Sequence, residues 1–276
     1  MSSEITTCLC QQGAECAGQK AGRILVRSMQ AGLYIGLAAL FTITVTDDAK
    51  SLLGSGLTQL LAGFCFSAGL IMVVLGGAEL FTGCNLTVGT AAIAGEVPFL
   101  KMLRQWSLCY VGNLLGSMAI VALWIGSGLW RQADGAWAAK ALAMAGTKAN
   151  LDFWPALLRG IGCNILVCLG IFFAAGAKDT AGKVAGMLFP VMAFVAMGFE
   201  HSVANMTYLP LGLWLQYLLP AQAQAGLGGW ALLTNLVPVT IGNIIGGTLV
   251  VGATYWGVFG HKPKLPVNPP RSAAEA

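Results

Sequence analysis

Glu79, Glu200 and His201 fall inside long apolar stretches of this chain, where lipid should forbid an ionisable side chain. A charge near the bilayer centre costs at least about 2.5 kcal/mol, so such residues pair, face a cavity, and mark a path for an ion or a proton. Histidine titrates near neutrality, so His201 reads in two ways: a group that lends a proton inside a pore, or an imidazole that hydrogen-bonds a neighbouring helix. The only other histidine, His261, stands in a basic C-terminal segment. Glu79 and Glu200 each follow a Gly-x step, Gly77 and Gly198, and also have two readings. They are proton relays, or they accept from backbone N–H groups freed where a helix breaks. Enzyme chemistry has no foothold: the chain holds no His-Glu-x-x-His pair, no Gly-x-Ser-x-Gly elbow and no Gly-x-x-x-x-Gly-Lys phosphate loop. No cofactor is expected.

The segments that must position these residues are membrane spans. Of 276 residues, 57% are hydrophobic, 9% are charged and 37 are glycine, with a mean hydropathy of +0.74. This predicts a one-domain polytopic membrane protein of all-α class. Runs without charge place six spans near 28–46, 51–78, 105–130, 160–177, 184–199 and 235–260. Six crossings put both termini on one side. Lys20, Arg23, Arg27, Lys101, Arg104, Lys178, Lys183, Lys262, Lys264 and Arg271 share that side, against Lys50, Arg131, Lys140, Lys148 and Arg159 opposite. The positive-inside bias makes both termini cytoplasmic. The chain divides into a cytoplasmic segment 1–27, a transmembrane domain 28–260 and a cytoplasmic tail 261–276. No short apolar run with a small-residue cleavage site precedes Val26, so no removable signal peptide is expected. The net charge of +4 is accounted for by orientation in the membrane and gives no basis for nucleic-acid binding. Cys8, Cys10 and Cys16 cluster near the N-terminus with one close pair and no histidine nearby, so no metal site is expected.

Landmarks recur in both halves: Arg27 and Arg159, then Gly77-x-Glu79 and Gly198-x-Glu200, then Gly112-Asn113 and Gly242-Asn243. Two three-span repeats account for this, and because three is odd the second enters the membrane from the opposite side. The stretch 57–95 carries only Glu79 as a charge and as one straight helix would run about 58 Å, so it must break. The stretch 184–219 has the same excess, with Pro190 and Pro210 as further punctuation. Lipid cannot satisfy a broken helix, so both breaks face protein or a watery cavity, and a half-helix N-terminus there favours an anion. Asn113 and Asn243 sit in small-x-x-x-small patterns that bring helices close and support hydrogen bonds across the contact. Arg27 and Arg159 read as side chains reaching for the interface or turned inward at a pore mouth. Phe66, Leu70, Leu80, Phe81, Val167 and Phe194 flank the polar positions. They are ordinary core, or, where they converge, apolar constrictions that exclude water.

The segment from Phe66 to Gly83, the run Gly-Phe-Glu200-His201-Ser-Val-Ala-Asn205-Met, and Pro238-Val-Thr-Ile-Gly-Asn243-Ile-Ile-Gly-Gly resemble the formate/nitrite transporter family, and the likeness extends from about Arg23 to Trp256. The resemblance implies an aquaporin-like protomer with spans two and five interrupted, and five protomers around an axis, each with its own pore. It implies that His201 is the central pore histidine and Thr82 its partner on the loop interrupting span two. It implies constrictions at Phe66, Leu70, Leu80, Phe81, Val167 and Phe194, an anion-attracting Lys148, and Asn164 and Asn205 as polar liners. Glu79, Glu200, Asn113 and Asn243 support the helix breaks. The N-terminal segment is similar to a helix that covers the inner mouth, although its cysteines are not part of that pattern. The expected substrate is formate, followed by nitrite and then hydrosulfide. A neutral-solute channel of the water or glycerol type is the rival, but its Asn-Pro-Ala signature is missing, since Leu86 follows Asn85 and Met206 follows Asn205. A membrane sensor or scaffold, with purely structural breaks, is the third reading.

Overall fold

The computed structural model describes residues 1–224 and 226–260, so the expected tail 261–276 lies outside the described residues. The described chain is helical: α1 (Ser2–Gly18), α2 (Ala21–Val45), α3 (Ala49–Leu75), α4 (Phe81–Ile93), α5 (Phe99–Gly126), α6 (Ala136–Ala149), α7 (Phe153–Gly176), α8 (Thr180–Ala196), α9 (Ser202–Leu218), α10 (Ala231–Ile244), a π-helical stretch (Ile245–Ala253) and α11 (Thr254–Phe259). Among the described residues, five stretches are long and apolar enough to cross a membrane: α2, α3, α5, α7 and the continuous Ala231–Phe259. α8 and α9 are shorter, each 17 residues or about 26 Å.

Helix is absent at 76–80, between α3 and α4, and at 197–201, between α8 and α9. Pro190 and Pro210 do not mark the second break; they lie inside α8 and α9, and the chain turns instead where Gly198 takes φ +73°. Gly77 takes φ +68° in the first break. A side chain at either glycine would be strained, which is why the Gly-x-Glu step recurs. The first and fourth spans begin seven residues earlier than the charge-free runs indicated, at Ala21 and Phe153. Arg27 and Arg159 ended those runs in the sequence, yet both lie within the helices. The expected boundary at 27/28 therefore falls inside α2.

Close backbone contact holds each half together. A Cβ on Gly32 or Gly116 would run into the carbonyls of Asn113 or Met29, and one on Gly242 or Gly246 into those of Leu157 or Ile161. The pairs α2–α5 and α7–α10 thus touch main chain to main chain, the arrangement small residues permit in lipid.

Each three-span repeat is preceded by a further helix, α1 in the first half and α6 in the second. α6 was not foreseen, because Lys140 and Lys148 mark it as a loop when only charge-free runs are sought; its Ala-rich sequence is nonetheless strongly helix-forming. It packs on α9 as α1 packs on α4. With α1 matched to α6, Gln12 corresponds to Met144 and Cys16 to Lys148, in the same register that pairs Arg27 with Arg159.

Candidate functional site: a histidine between two cavities

Each break is pinned by the same asparagine geometry. Asn113 Nδ2 donates to the carbonyls of Ser28 (2.8 Å) and Glu79 (3.0 Å), and its Oδ1 accepts from the Phe81 N–H (2.9 Å). Asn243 Nδ2 donates to Gly160 (2.8 Å) and Glu200 (3.0 Å), and its Oδ1 accepts from the Ser202 N–H (2.9 Å). One side chain thereby ties a spanning helix, the break and the first turn of the half-helix after it. The backbone adds a matching pair: Glu79 N–H donates to the Arg27 carbonyl (3.1 Å), and Glu200 N–H to that of Arg159 (3.2 Å). The sequence pattern indicated helix packing at Asn113 and Asn243; the structure adds that they satisfy the freed backbone groups, which a buried helix break requires.

The carboxylates are 3% and 5% exposed and are paired. Glu79 Oε1 accepts from Arg27 Nη1 (2.7 Å) and its Oε2 from Gln105 Nε2 (3.2 Å), while Arg27 Nε also donates to the Gly77 carbonyl (2.9 Å). Glu200 accepts from Lys148 Nζ at both oxygens (2.9 and 3.0 Å) and from Asn205 Nδ2 (2.7 Å), which also donates to Asn235 Oδ1 (2.7 Å). Arg27 is thus turned to the break rather than out to the interface. Gln105 and Asn235 were missed by sequence reasoning. The signal was available, since each stands eight residues before the asparagine of its own half.

The half-helices α4 and α9 start next to each other. His201 is the residue capping α9, and its Nδ1 accepts from the Ala204 N–H (3.1 Å), so in the neutral ring the proton sits on Nε2. Nε2 lies 2.9 Å from Thr82 Oγ1 and donates to it. Thr82 belongs to the first turn of α4, not to the loop where the resemblance put it. Two helix N-termini, each with a positive dipole end, therefore converge on the His201–Thr82 contact. The imidazole stacks on Phe194 (centroids 6.0 Å apart, 19°), and Phe66 presents its edge at 6.4 Å.

A cavity opens on either side of this contact. The one beside α6, of about 190 Å³, is lined by Phe66, Lys148, Phe194, Glu200, His201 and Tyr208 among others. The one beside α1, of about 210 Å³, is lined by Cys16, Arg27, Val73, Glu79, Leu80 and Thr87 among others. Several lining positions are repeat counterparts: Phe194 answers Val73, Glu200 answers Glu79, His201 answers Leu80 and Tyr208 answers Thr87. Between them along α3, Leu70 is buried and faces α7 near Gly170, one turn from the buried Val167. Apolar side chains therefore separate the cavities.

Three expected site residues lie elsewhere. The Phe81 ring packs edge-on against Trp106 (6.2 Å) and Tyr110 (5.0 Å) and lines a different cavity of about 400 Å³ with residues of α5 and α10. It points away from the other constriction candidates. Asn164 is fully buried behind α4, donating to the carbonyls of Thr82 (3.2 Å) and Asn243 (2.6 Å) and to Asn85 Oδ1 (3.2 Å). Asn205 is buried in the Glu200 network rather than on a cavity wall. The π-helical stretch lies against α4 at this point, with Thr248 Oγ1 donating to the Asn85 carbonyl (2.8 Å).

A family model described as "Formate/nitrite transporter" matches residues 3–257. The chain is 37% identical over 243 residues to the formate channel FocA of Escherichia coli (strain K12), covering 84% of this chain and 85% of that protein. It is 36% identical over 253 residues to a probable formate transporter of Methanothermobacter thermautotrophicus, covering 86% and 89%. Among solved structures, a pentameric formate channel with formate bound superposes with a TM-score of 0.78 at 33% identity, covering 87% of this chain and 97% of that one. An ion channel of the same family gives a TM-score of 0.81 at 27% identity, covering 92% and 98%. With a model matching almost end to end and relatives this similar over most of their length, the chain is a multi-pass membrane protein belonging to the formate/nitrite transporter family.

Proposed function

We propose that this protein is a channel for small monovalent anions, with formate as its substrate, that it assembles as a homopentamer with one pore per protomer, and that both termini are cytoplasmic. The observation that carries the reading is the His201–Thr82 contact, where two half-helix N-termini meet between two cavities that each hold a cation paired to a carboxylate. Lys148 draws an anion into the cavity beside α6 by exchanging Glu200 for the substrate. Phe66 and Phe194 form the slit above the histidine; Leu70, Leu80 and Val167 form the one below. A bare charge is costly in such slits, and a hydrogen bond donated by a preorganised N–H lowers that cost.

His201 supplies that bond from Nε2. Full proton transfer to the anion needs a second ring proton, which must enter at Nδ1 and displace the Ala204 N–H. Glu79, Glu200, Asn113 and Asn243 hold the breaks, and Asn164 fixes Thr82 through its carbonyl. The names of the two relatives, a formate channel and a probable formate transporter, support formate over nitrite and hydrosulfide. The test is osmotic swelling of proteoliposomes in formate, nitrite, hydrosulfide and glycerol: formate enters fastest and glycerol stays out. Entry of glycerol without any anion overturns the reading.

A further inference from the structure

The cavity beside α1 carries a chemistry the proposed channel does not use. Cys16 of α1 and Cys84 of α4 both line it, at the repeat positions that Lys148 and Asn205 fill in the other half. α1 crosses α4 main chain to main chain: a Cβ on Gly13 would meet the Thr87 carbonyl. Cys16 is three residues beyond Gly13 and Cys84 three before Thr87. One turn from an antiparallel crossing, two such positions face each other. Cys16 is half-buried, whereas Cys84 is buried, with Cys109 behind it at 3.9 Å between sulfurs. Glu79 from the break and Arg27 from α2 line the same cavity. Burial, with Cys84 and Glu79 adding to it, pushes the Cys16 thiol up to about 12.

We propose that Cys16 and Cys84 are a redox-modification site whose disulfide staples α1 across this cavity and closes it. The oxidant is a low-molecular-weight disulfide. The Cys16 thiolate attacks one of its sulfurs, forming a mixed disulfide and expelling a thiolate. That thiolate takes the Cys84 proton, and the Cys84 sulfur attacks Cys16 Sγ, expelling the second small thiolate, which picks up the proton Cys16 gave up. Two cysteine thiols lose two electrons, and the reagent is reduced to two thiols. In a reducing cytoplasm the pair stays open. Because the thiolate is the nucleophile, the reaction accelerates about tenfold per pH unit from neutrality upward.

The disulfide stands apart from the proposed function; its effect on flux rests on that reading. The test treats reconstituted protein in a Cys8→Ser background with 4,4′-dipyridyl disulfide, followed by peptide mapping without reductant and formate-driven swelling. A Cys16–Cys84 link is expected in this background and with Cys109→Ser added, and is absent with Cys16→Ser or Cys84→Ser. Swelling falls severalfold on linking and returns with dithiothreitol. A Cys84–Cys109 link that persists with Cys16→Ser, or a reagent adduct left on Cys16 without a link, overturns the pair. A quantitative link with unchanged swelling overturns the closure. Absence of formate entry before any treatment defeats the channel reading while leaving the link intact.

Discussion

At the scale of single residues, the least expected arrangement is that His201 has two jobs. Its Nδ1 caps α9 while its Nε2–H reaches Thr82, so the ring is held in one tautomer by its own helix. The two jobs separate by substitution. His201→Asn retains an oxygen that caps the helix, whereas His201→Phe removes the cap, a loss of about 1 kcal/mol. The Phe variant should therefore melt below the Asn variant in detergent, while both lose pH-dependent transport; a pH profile unchanged in either variant rules out the histidine as the proton-lending group. The Lys148–Glu200 pair gives a second test at this scale. Lys148→Met leaves a buried carboxylate without its cation, held only by Asn205, and should cost roughly 3–5 kcal/mol. Adding Glu200→Gln should recover most of that in a thermal melt, and a double variant as unstable as the single one contradicts the pairing. The sequence displayed Glu79, Glu200 and His201 because an ionisable residue in an apolar run is conspicuous. It hid their partners, since Gln105 and Asn235 look like any polar residue and Lys148 approaches Glu200 only through the fold.

At the scale of elements, the breaks were legible and the details of their surroundings were not. Excess length around one carboxylate foretold both interruptions, because a helix that overshoots the bilayer must turn. Pro190 and Pro210 punctuate neither break, being absorbed inside α8 and α9. Neighbouring helices and local adjustment tolerate such prolines in membrane helices. The π-helical stretch and α6 escaped as well, the first because a change of helical pitch leaves hydropathy untouched. The asparagine clamp makes its own prediction: Asn113→Ala frees the Phe81 N–H and two carbonyls inside the protein, so it should lower stability by about 2–4 kcal/mol, as should Asn243→Ala. Wild-type melting temperatures in both would remove the clamp from the account. For the helix contacts, Gly116→Val drives a side chain into the Met29 carbonyl, and its expected result is loss of folded protein on size-exclusion chromatography. A well-folded Gly116→Val variant would mean that α2 and α5 can separate without penalty.

At the scale of the molecule, one set of helices is used twice, in opposite directions, and the copies differ at residues that line the two cavities. Leu80 stands where the other half has His201, and Cys16 where it has Lys148. The family resemblance carried most of the whole-molecule expectation, whereas the extension of the repeat to α1 and α6 required coordinates. The two ion pairs draw their cations from unlike places. Glu79 is served by Arg27 on a spanning helix, but Glu200 by Lys148 on α6, which lies outside the spans. Truncation and proteolysis should therefore affect the two ends differently. Trimming residues 2–18 leaves the Arg27–Glu79 pair in place but removes the buried Leu9, Cys10 and Ala17, so the shortened protein should still assemble, with a modestly lower melting temperature. A cut in the 127–135 connection leaves the helix that carries Lys148 tethered only through residues 150–152, and the outcome to expect is a larger drop in melting temperature. Equal tolerance of both cuts would show that Glu200 does not depend on α6.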